Sequence, residues 1–258
     1  MFSKLLDASY GRGARRLLLR SASILLLLGG WSVVAAAIGT DIVPAPWNVY
    51  DSLAQLISSG FFAAPLAKTL YRTLICFLCG IGFALLYGIA AARSPWFNRL
   101  SRGLFIVVLF APSLVIIFIV LAIFSTHMVL ALALIAAAAV SPALAVYVRD
   151  AMTALDHDIL SMADSYHVGV VQRARHIYLP HLIPTLLTVS RVGFTHSWKM
   201  VMLAEIFGLP GGLGFFLRSS YTAYDLPQVL SWLVIFVTVL LAIEQGLRYG
   251  EGRLVKWR

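Results

Sequence analysis

About six stretches of this chain are apolar over the roughly twenty residues needed to cross the hydrocarbon core of a bilayer. In lipid a backbone of that length must satisfy its own hydrogen bonds, which leaves helix as the solution for a segment of this kind. The stretches lie near Leu17–Ile38, Leu70–Ala92, Leu104–Phe124, Met128–Val148, Leu182–Leu203 and Val229–Ile243. Only 12% of the residues are charged, against about 25% in soluble domains. A globule of this composition could not clothe itself in polar surface. The expectation is an all-α integral membrane protein, one domain over residues 1–258.

The formal charge is +9. With the N-terminus inside, Lys4, Arg12, Arg15, Arg16 and Arg20 precede the first span, Arg93, Arg99 and Arg102 follow the second, and Arg149, Arg173 and Arg175 follow the fourth. Arg248, Arg253, Lys256 and Arg258 follow the last, whereas the outer loops hold Lys68 and Arg218. This asymmetry predicts cytoplasmic termini, with an N-terminal segment over 1–16 and a basic tail over 248–258. It also explains the positive charge without nucleic acid as a partner. The apolar character of Ile24–Leu28 continues through Trp31–Ile38 with no cleavage site between, so the first span reads as retained. Cys76 and Cys79 lie inside an apolar run without further Cys or His nearby, and read as packing residues.

Gly80, Ala84, Gly88 and Ala92 recur every fourth residue, a smooth stripe that lets helix backbones approach closely where lipid supplies no hydrophobic drive. Packing within the chain is the expected use. Pro112 and Pro142 fall inside the third and fourth stretches and should bend them, as a pathway opening alternately to two sides requires. Trp47, Trp96, Trp232 and Trp257 fall near expected interfaces and read as anchors.

The longest inner connection, residues 149–180, is too polar to span and has a helical pattern. Ile159, Leu160, Met162 and Ala163 form an apolar patch, and Asp156 or Asp158 can cap a short helix ahead of it. A half-apolar cytoplasmic helix needs a cover, either interfacial lipid or a groove on a partner protein.

The run Leu160-Ser161-Met162-Ala163-Asp164-Ser165-Tyr166-His167-Val168-Gly169, followed by Ile177-Tyr178-Leu179-Pro180, resembles the EAA loop of ABC importer permeases. In that family Glu-Ala-Ala, three variable residues and Gly precede Leu-Pro. Counted back from Pro180, Ser161 stands at the Glu position, Met162 and Ala163 at the Ala positions, and His167 at the Gly position. Gly169 comes two residues late. The departure at His167 calls into question the turn that a glycine would make there. Val43-Pro44-Ala45-Pro46-Trp47-Asn48-Val49 resembles the lead-in of the nitrate, sulfonate and taurine branch. So does the segment from Ser197 through Glu205 into Gly211-Gly212-Leu213-Gly214.

The resemblance implies a type I importer permease fold with a coupling helix, docked by Leu160–His167 to a separate ATPase. Two ATPase subunits, a second copy of the permease and an external binding protein are its expected partners, with ATP and magnesium on the ATPase and no cofactor on this chain. Consistent with that division, neither a phosphate-binding G-x-x-x-x-G-K-[ST] loop nor any Gly-Lys pair occurs in the sequence. The resemblance implies import of a small anion or organic acid across a bacterial inner membrane by alternating access. The rival is a secondary transporter or channel working without ATP, against which the lack of repeated halves argues.

Charged residues in spans mark functional candidates. Arg191 and Lys199, eight residues apart, share a broad face of the fifth stretch and could guide an anion; His196 could line the same face, as could Ser197. Glu205 lies at the outer end of that stretch, before Gly208-Leu209-Pro210-Gly211-Gly212, either on the pathway or paired with a nearby cation. With Pro112 and Ser113 these form the candidate pathway. No triad or metal-ligand spacing accompanies them, so an intramembrane enzyme is not expected.

Overall fold

A computed structural model describes the backbone of residues 2–40, 42–124 and 126–254, and side chains between 19 and 250 except at 20, 41 and 125. Lys256, Trp257, Arg258 and the N-terminal basic side chains through Arg16 lie outside the described residues, as does the side chain of Arg20. Every described element is helical. They are α1 (Phe2–Ile38), α2 (Pro46–Ser58), α3 (Ala63–Arg93), α4 (Pro95–Phe110), α5 (Ser113–Phe124), α6 (Met128–Ile135), α7 (Ser141–Thr153), α8 (His157–Ser165), α9 (Val170–Arg173), α10 (Leu179–Phe207), α11 (Leu213–Thr222) and α12 (Leu226–Leu254). Wider π turns, Ala136–Val140 and Ala174–Tyr178, join α6 to α7 and α9 to α10.

Among the described residues, four helical stretches are long and apolar enough to cross a membrane: Ser21–Ile38, Ala63–Arg93, Met128–Thr153 and Leu226–Gly250. The third expected span is broken. α4 and α5 qualify only as a pair, bent by 97°. Ala111 before Pro112 is extended (φ −61°, ψ 136°), as a residue preceding proline prefers, and the helix stops there. The fifth expected span, α10, is 29 residues long, about 43 Å at 1.5 Å per residue, yet not apolar enough to qualify by composition. Its buried residues, Val189, Gly193, Ser197, Val201 and Ala204 among them, face protein rather than lipid.

The core is formed where α3, α7 and α10 meet. The small-residue stripe of α3 is occupied within the chain. A Cβ on Gly80 would stand 3.0 Å from Val140 Cγ1, and one on Gly88 would stand 2.8 Å from Val148 and 3.0 Å from the Ala145 carbonyl. Antiparallel α3 and α10 are pinned at both ends, by Glu205 beside Arg72 and by Arg93 stacked over the Tyr178 ring at 5.0 Å. A second core joins α10, α11 and α12 through Trp198, Leu213, Trp232 and Phe236. Trp232 is fully buried and stacked on Phe216, so it is a core residue and not the interfacial anchor its position suggested. Trp47 and Trp96 are exposed.

Candidate functional site

The connection after α7 folds into a closed loop. Asp156 caps α8, its carboxylate accepting from the Asp158 N–H at 2.9 Å. At the other end His167 N–H donates to Asp164 O (3.0 Å) and Val168 N–H to Ala163 O (2.9 Å). This pair of bonds closes a helix through a left-handed residue, and His167 supplies it with φ 49°. The turn expected of glycine is thus made by histidine, at a cost of about 1–2 kcal/mol from the clash of its Cβ with the following carbonyl.

Arg173 holds the turn. Its Nε donates to Val168 O at 2.7 Å, one Nη to Ala163 O at 3.3 Å, and the other to the Asp164 carboxylate. Ala163 is 1% exposed and faces inward. Leu160 and Val168 are half-buried, while Ser161 is exposed and turned back on the His157 carbonyl. Ile159, Met162, Tyr166, Val170 and Val171 leave an apolar face uncovered. Gly169, Leu179 and Pro180 are exposed as the chain turns into α10, and His181 bonds the Ala151 carbonyl at 2.9 Å.

The candidate pathway residues divide among three places. Pro112 lies in the break between α4 and α5. There Ser113, Ala139, Pro142 and His196 line a cavity of about 100 Å³. The π turn ahead of Pro142 disturbs the carbonyl pairing, and His196 Nε2 donates to Ala139 O at 3.0 Å. Arg191, Thr195, His196 and Lys199 line one wall of a larger groove of about 310 Å³, with Glu244 and Arg248 of α12 opposite. Ser197 is buried on another face of α10.

Glu205 belongs to neither cavity. It is 1% exposed and accepts from Arg72 Nη1 (2.8 Å), Thr69 Oγ1 (2.8 Å) and the Gly214 N–H (3.1 Å). Arg72 also donates to Pro210 O at 2.8 Å, and Thr69 Oγ1 accepts from the Leu213 N–H at 2.9 Å. The Gly-rich loop is pressed onto this carboxylate: a Cβ on Gly212 would lie 1.9 Å from Glu205 Oε1. The cluster clasps α11 and its loop to α3 and α10. Sequence reasoning missed Thr69 and Arg72 as partners of Glu205, and Arg173 as a partner of the α8 turn. The glycines after Glu205 were the only signal of a close approach.

Residues 80–243 match the binding-protein-dependent transport system inner membrane component family. The chain belongs to this family. It is the permease subunit of an ABC importer, a multi-pass membrane protein and a transport subunit. A Bacillus subtilis permease provisionally named for aliphatic sulfonates transport is 25% identical over 234 residues, 90% of this chain and 82% of that protein. The taurine transport system permease protein TauC of Escherichia coli K12 is 25% identical over 256 residues, 95% of this chain and 91% of that one. The permease also superposes on a chain of the MetNI methionine ABC transporter in an inward-facing conformation. The TM-score is 0.64 at 15% identity, over 76% of this chain and 94% of that one. A histidine-bound amino acid ABC transporter gives 0.60 at 20% identity, over 78% and 97%. The all-helical type I permease fold and the sulfonate and taurine branch, both expected from the sequence, are borne out.

Proposed function

We propose that this permease forms half of an ATP-driven pathway that carries a small organic anion, of the sulfonate or taurine kind, into the bacterial cytoplasm. The observation that carries the coupling is the closed loop around α8. Its fold is fixed internally by Asp156, His167 and Arg173, while Met162 and Tyr166 present an apolar face left uncovered by the described residues. A short rigid helix of this kind transmits force if a separate ATPase grips it, because bending it would break the turn that Arg173 holds. Closure of two ATPase subunits then biases two permease copies between inward- and outward-open states. An external binding protein delivers the solute. The proline break at Pro112 and the π turn before Pro142 are the places where the bundle can flex.

The substrate class rests on the names of the relatives and on the cationic side chains Arg191 and Lys199. The basic loops put both termini in the cytoplasm of a cell whose inner membrane holds the complex.

The test is affinity purification of the permease from its native membrane in mild detergent, with partners identified and ATPase activity measured. A stoichiometric nucleotide-binding subunit, lost when Met162 and Tyr166 are changed to Asp with the far-UV spectrum preserved, is the expected result. A permease that purifies alone refutes ATP coupling and puts the secondary transporter in its place. Uptake of a labelled alkanesulfonate by the reconstituted complex tests the substrate.

A further inference from the structure

We propose that α2 is an interfacial helix. It lies in the plane of the membrane, on the side of the bundle away from the α8 loop, with Tyr50, Ala54 and Ile57 sunk into the headgroup and upper acyl region of the lipid. The inference goes beyond the transport reading and depends on neither the solute nor the ATPase. The 13 residues of α2 span about 20 Å, too short to cross a hydrocarbon core of about 30 Å.

The residues of α2 sort into three sectors around its axis, measured from Trp47 at about 100° per residue. Leu56, Val49 and Leu53 fall at about 180–240°. This sector is packed: Val49 and Leu56 are buried, and Leu53 and Leu56 join Trp232 and Phe236 of α12. Ile57, Tyr50, Ala54 and Trp47 follow at about 280–360°. They are apolar or aromatic yet open, with Trp47 57%, Tyr50 70% and Ile57 54% exposed. Ser58, Asp51, Gln55, Asn48 and Ser52 fill about 20–140° and carry the single charge of the helix. Protein thus covers only part of an apolar arc about 180° wide. A helix with this order of sectors fits one neighbour of protein, one of hydrocarbon and one of water, as at a membrane surface.

Contacts with α12 give the orientation and the depth. Near the start of α2 the Val49 carbonyl accepts from Ser231 Oγ at 3.2 Å. Just past its end, Phe61 meets Trp232 with ring centroids 6.2 Å apart. Val49 and Phe61 are far apart in the chain, but their partners are adjacent on α12, so α2 crosses that helix instead of running along it. The crossing lies about 8 Å inside the Leu226 end of the candidate span Leu226–Gly250, within the depth of about 5–10 Å at which an interfacial helix rests. Around this level Leu233, Val234 and Val237 of α12 are exposed, so the open sector of α2 continues the lipid-facing surface of a spanning helix. Trp47 and Tyr50 add the indole and phenol that settle among headgroups. In the chain α2 stands between the candidate spans of α1 and α3, which hold it at the bilayer. It leads into α3 at the end pinned by Glu205, opposite the Arg93–Tyr178 end that adjoins the α8 loop.

The test attaches nitroxide labels to the full-length permease in phospholipid nanodiscs. The sites are Tyr50→Cys, Ala54→Cys, Gln55→Cys and Ile57→Cys, one at a time in a Cys79→Ala background, Cys76 being buried. All four positions are exposed, so a label there displaces no packed neighbour. Collision with oxygen, which concentrates in lipid, is compared with collision with a nickel chelate, which stays in water. Oxygen should exceed nickel at Tyr50, Ala54 and Ile57, and the order should invert at Gln55, about 100° around the helix from Ala54. Label depths at Tyr50 and Ile57 should agree within about 3 Å, whereas a helix standing upright would separate them by about 10 Å. Nickel access at Ala54 equal to that at Gln55 overturns the proposal and puts the face in water, open to a soluble partner. A label at Ala54 that is immobilised and shielded from both reagents also overturns it and gives the face to a second copy of the permease. Depths that differ by the full upright separation refute the in-plane orientation.

Discussion

The Glu205 clasp provides the sharpest test of how α11 and its loop are packed. Glu205→Ala removes a carboxylate that accepts three hydrogen bonds and pairs with Arg72, itself 6% exposed. Arg72 keeps only the Pro210 carbonyl, and the Gly214 N–H loses its acceptor. Breaking a buried pair by removing one partner costs about 3–5 kcal/mol. Glu205→Gln keeps the shape but turns an amide NH2 or its oxygen toward a set of donors, leaving one unsatisfied, for about 1–3 kcal/mol. Gly212 adds an independent probe. Its backbone is extended (φ −98°, ψ −175°), so alanine meets no conformational strain there. Its Cβ would nevertheless lie 1.9 Å from Glu205 Oε1, and overpacking of this kind costs about 1–3 kcal/mol. In the Glu205→Ala background that oxygen is gone and Gly212→Ala should add little. Reversible unfolding in mixed micelles of the four variants of this cycle should therefore show coupling of at least about 1 kcal/mol. Costs that simply add, or a Glu205→Ala penalty below about 1 kcal/mol, would refute the clasp.

Three further outcomes follow from local geometry. His167→Gly should stabilise the α8 turn by about 1 kcal/mol, slowing exchange of the Val168 amide that closes it, whereas β-branched His167→Val should speed it. Asp156→Ala should cost about 1 kcal/mol of helix stability through loss of the cap, seen as faster exchange across His157–Ser165 with the spans unaffected. Gly88→Ala should lower the unfolding midpoint of the whole bundle, because its Cβ meets Val148 at 2.8 Å and backbone at 3.0 Å. Val148→Ala in the same chain should recover part of the loss.

Much of the molecule is legible in the sequence. The spans α1, α3 and α12 and the α6–α7 unit announce themselves because lipid demands long apolar helices. The cap at Asp156 and the patch at Ile159 and Met162 follow local rules that act over one or two turns. The family pattern survived substitutions at Ser161 and His167 because spacing to Leu179-Pro180 was intact. α10 was harder to judge. Its length was clear, but its polar residues made sense only once three other helices surrounded it. Trp232 misled for a related reason: an indole near an expected interface and an indole stacked in a core look alike along the chain.

The sequence by itself determined that this protein lives in a membrane, which ends carry the basic loops, and where a short capped helix interrupts the spans. Each depends on composition or on interactions between near neighbours. Tertiary structure alone decided that Glu205 closes on Arg72 across 133 residues and that Arg191 and Glu244 line one groove. It also decided that the stripe at Gly80 and Gly88 meets α7 and its preceding π turn. The physical reason is that helix packing juxtaposes residues by rotation and tilt, and one residue more or less in a loop turns a different face inward without changing any helix.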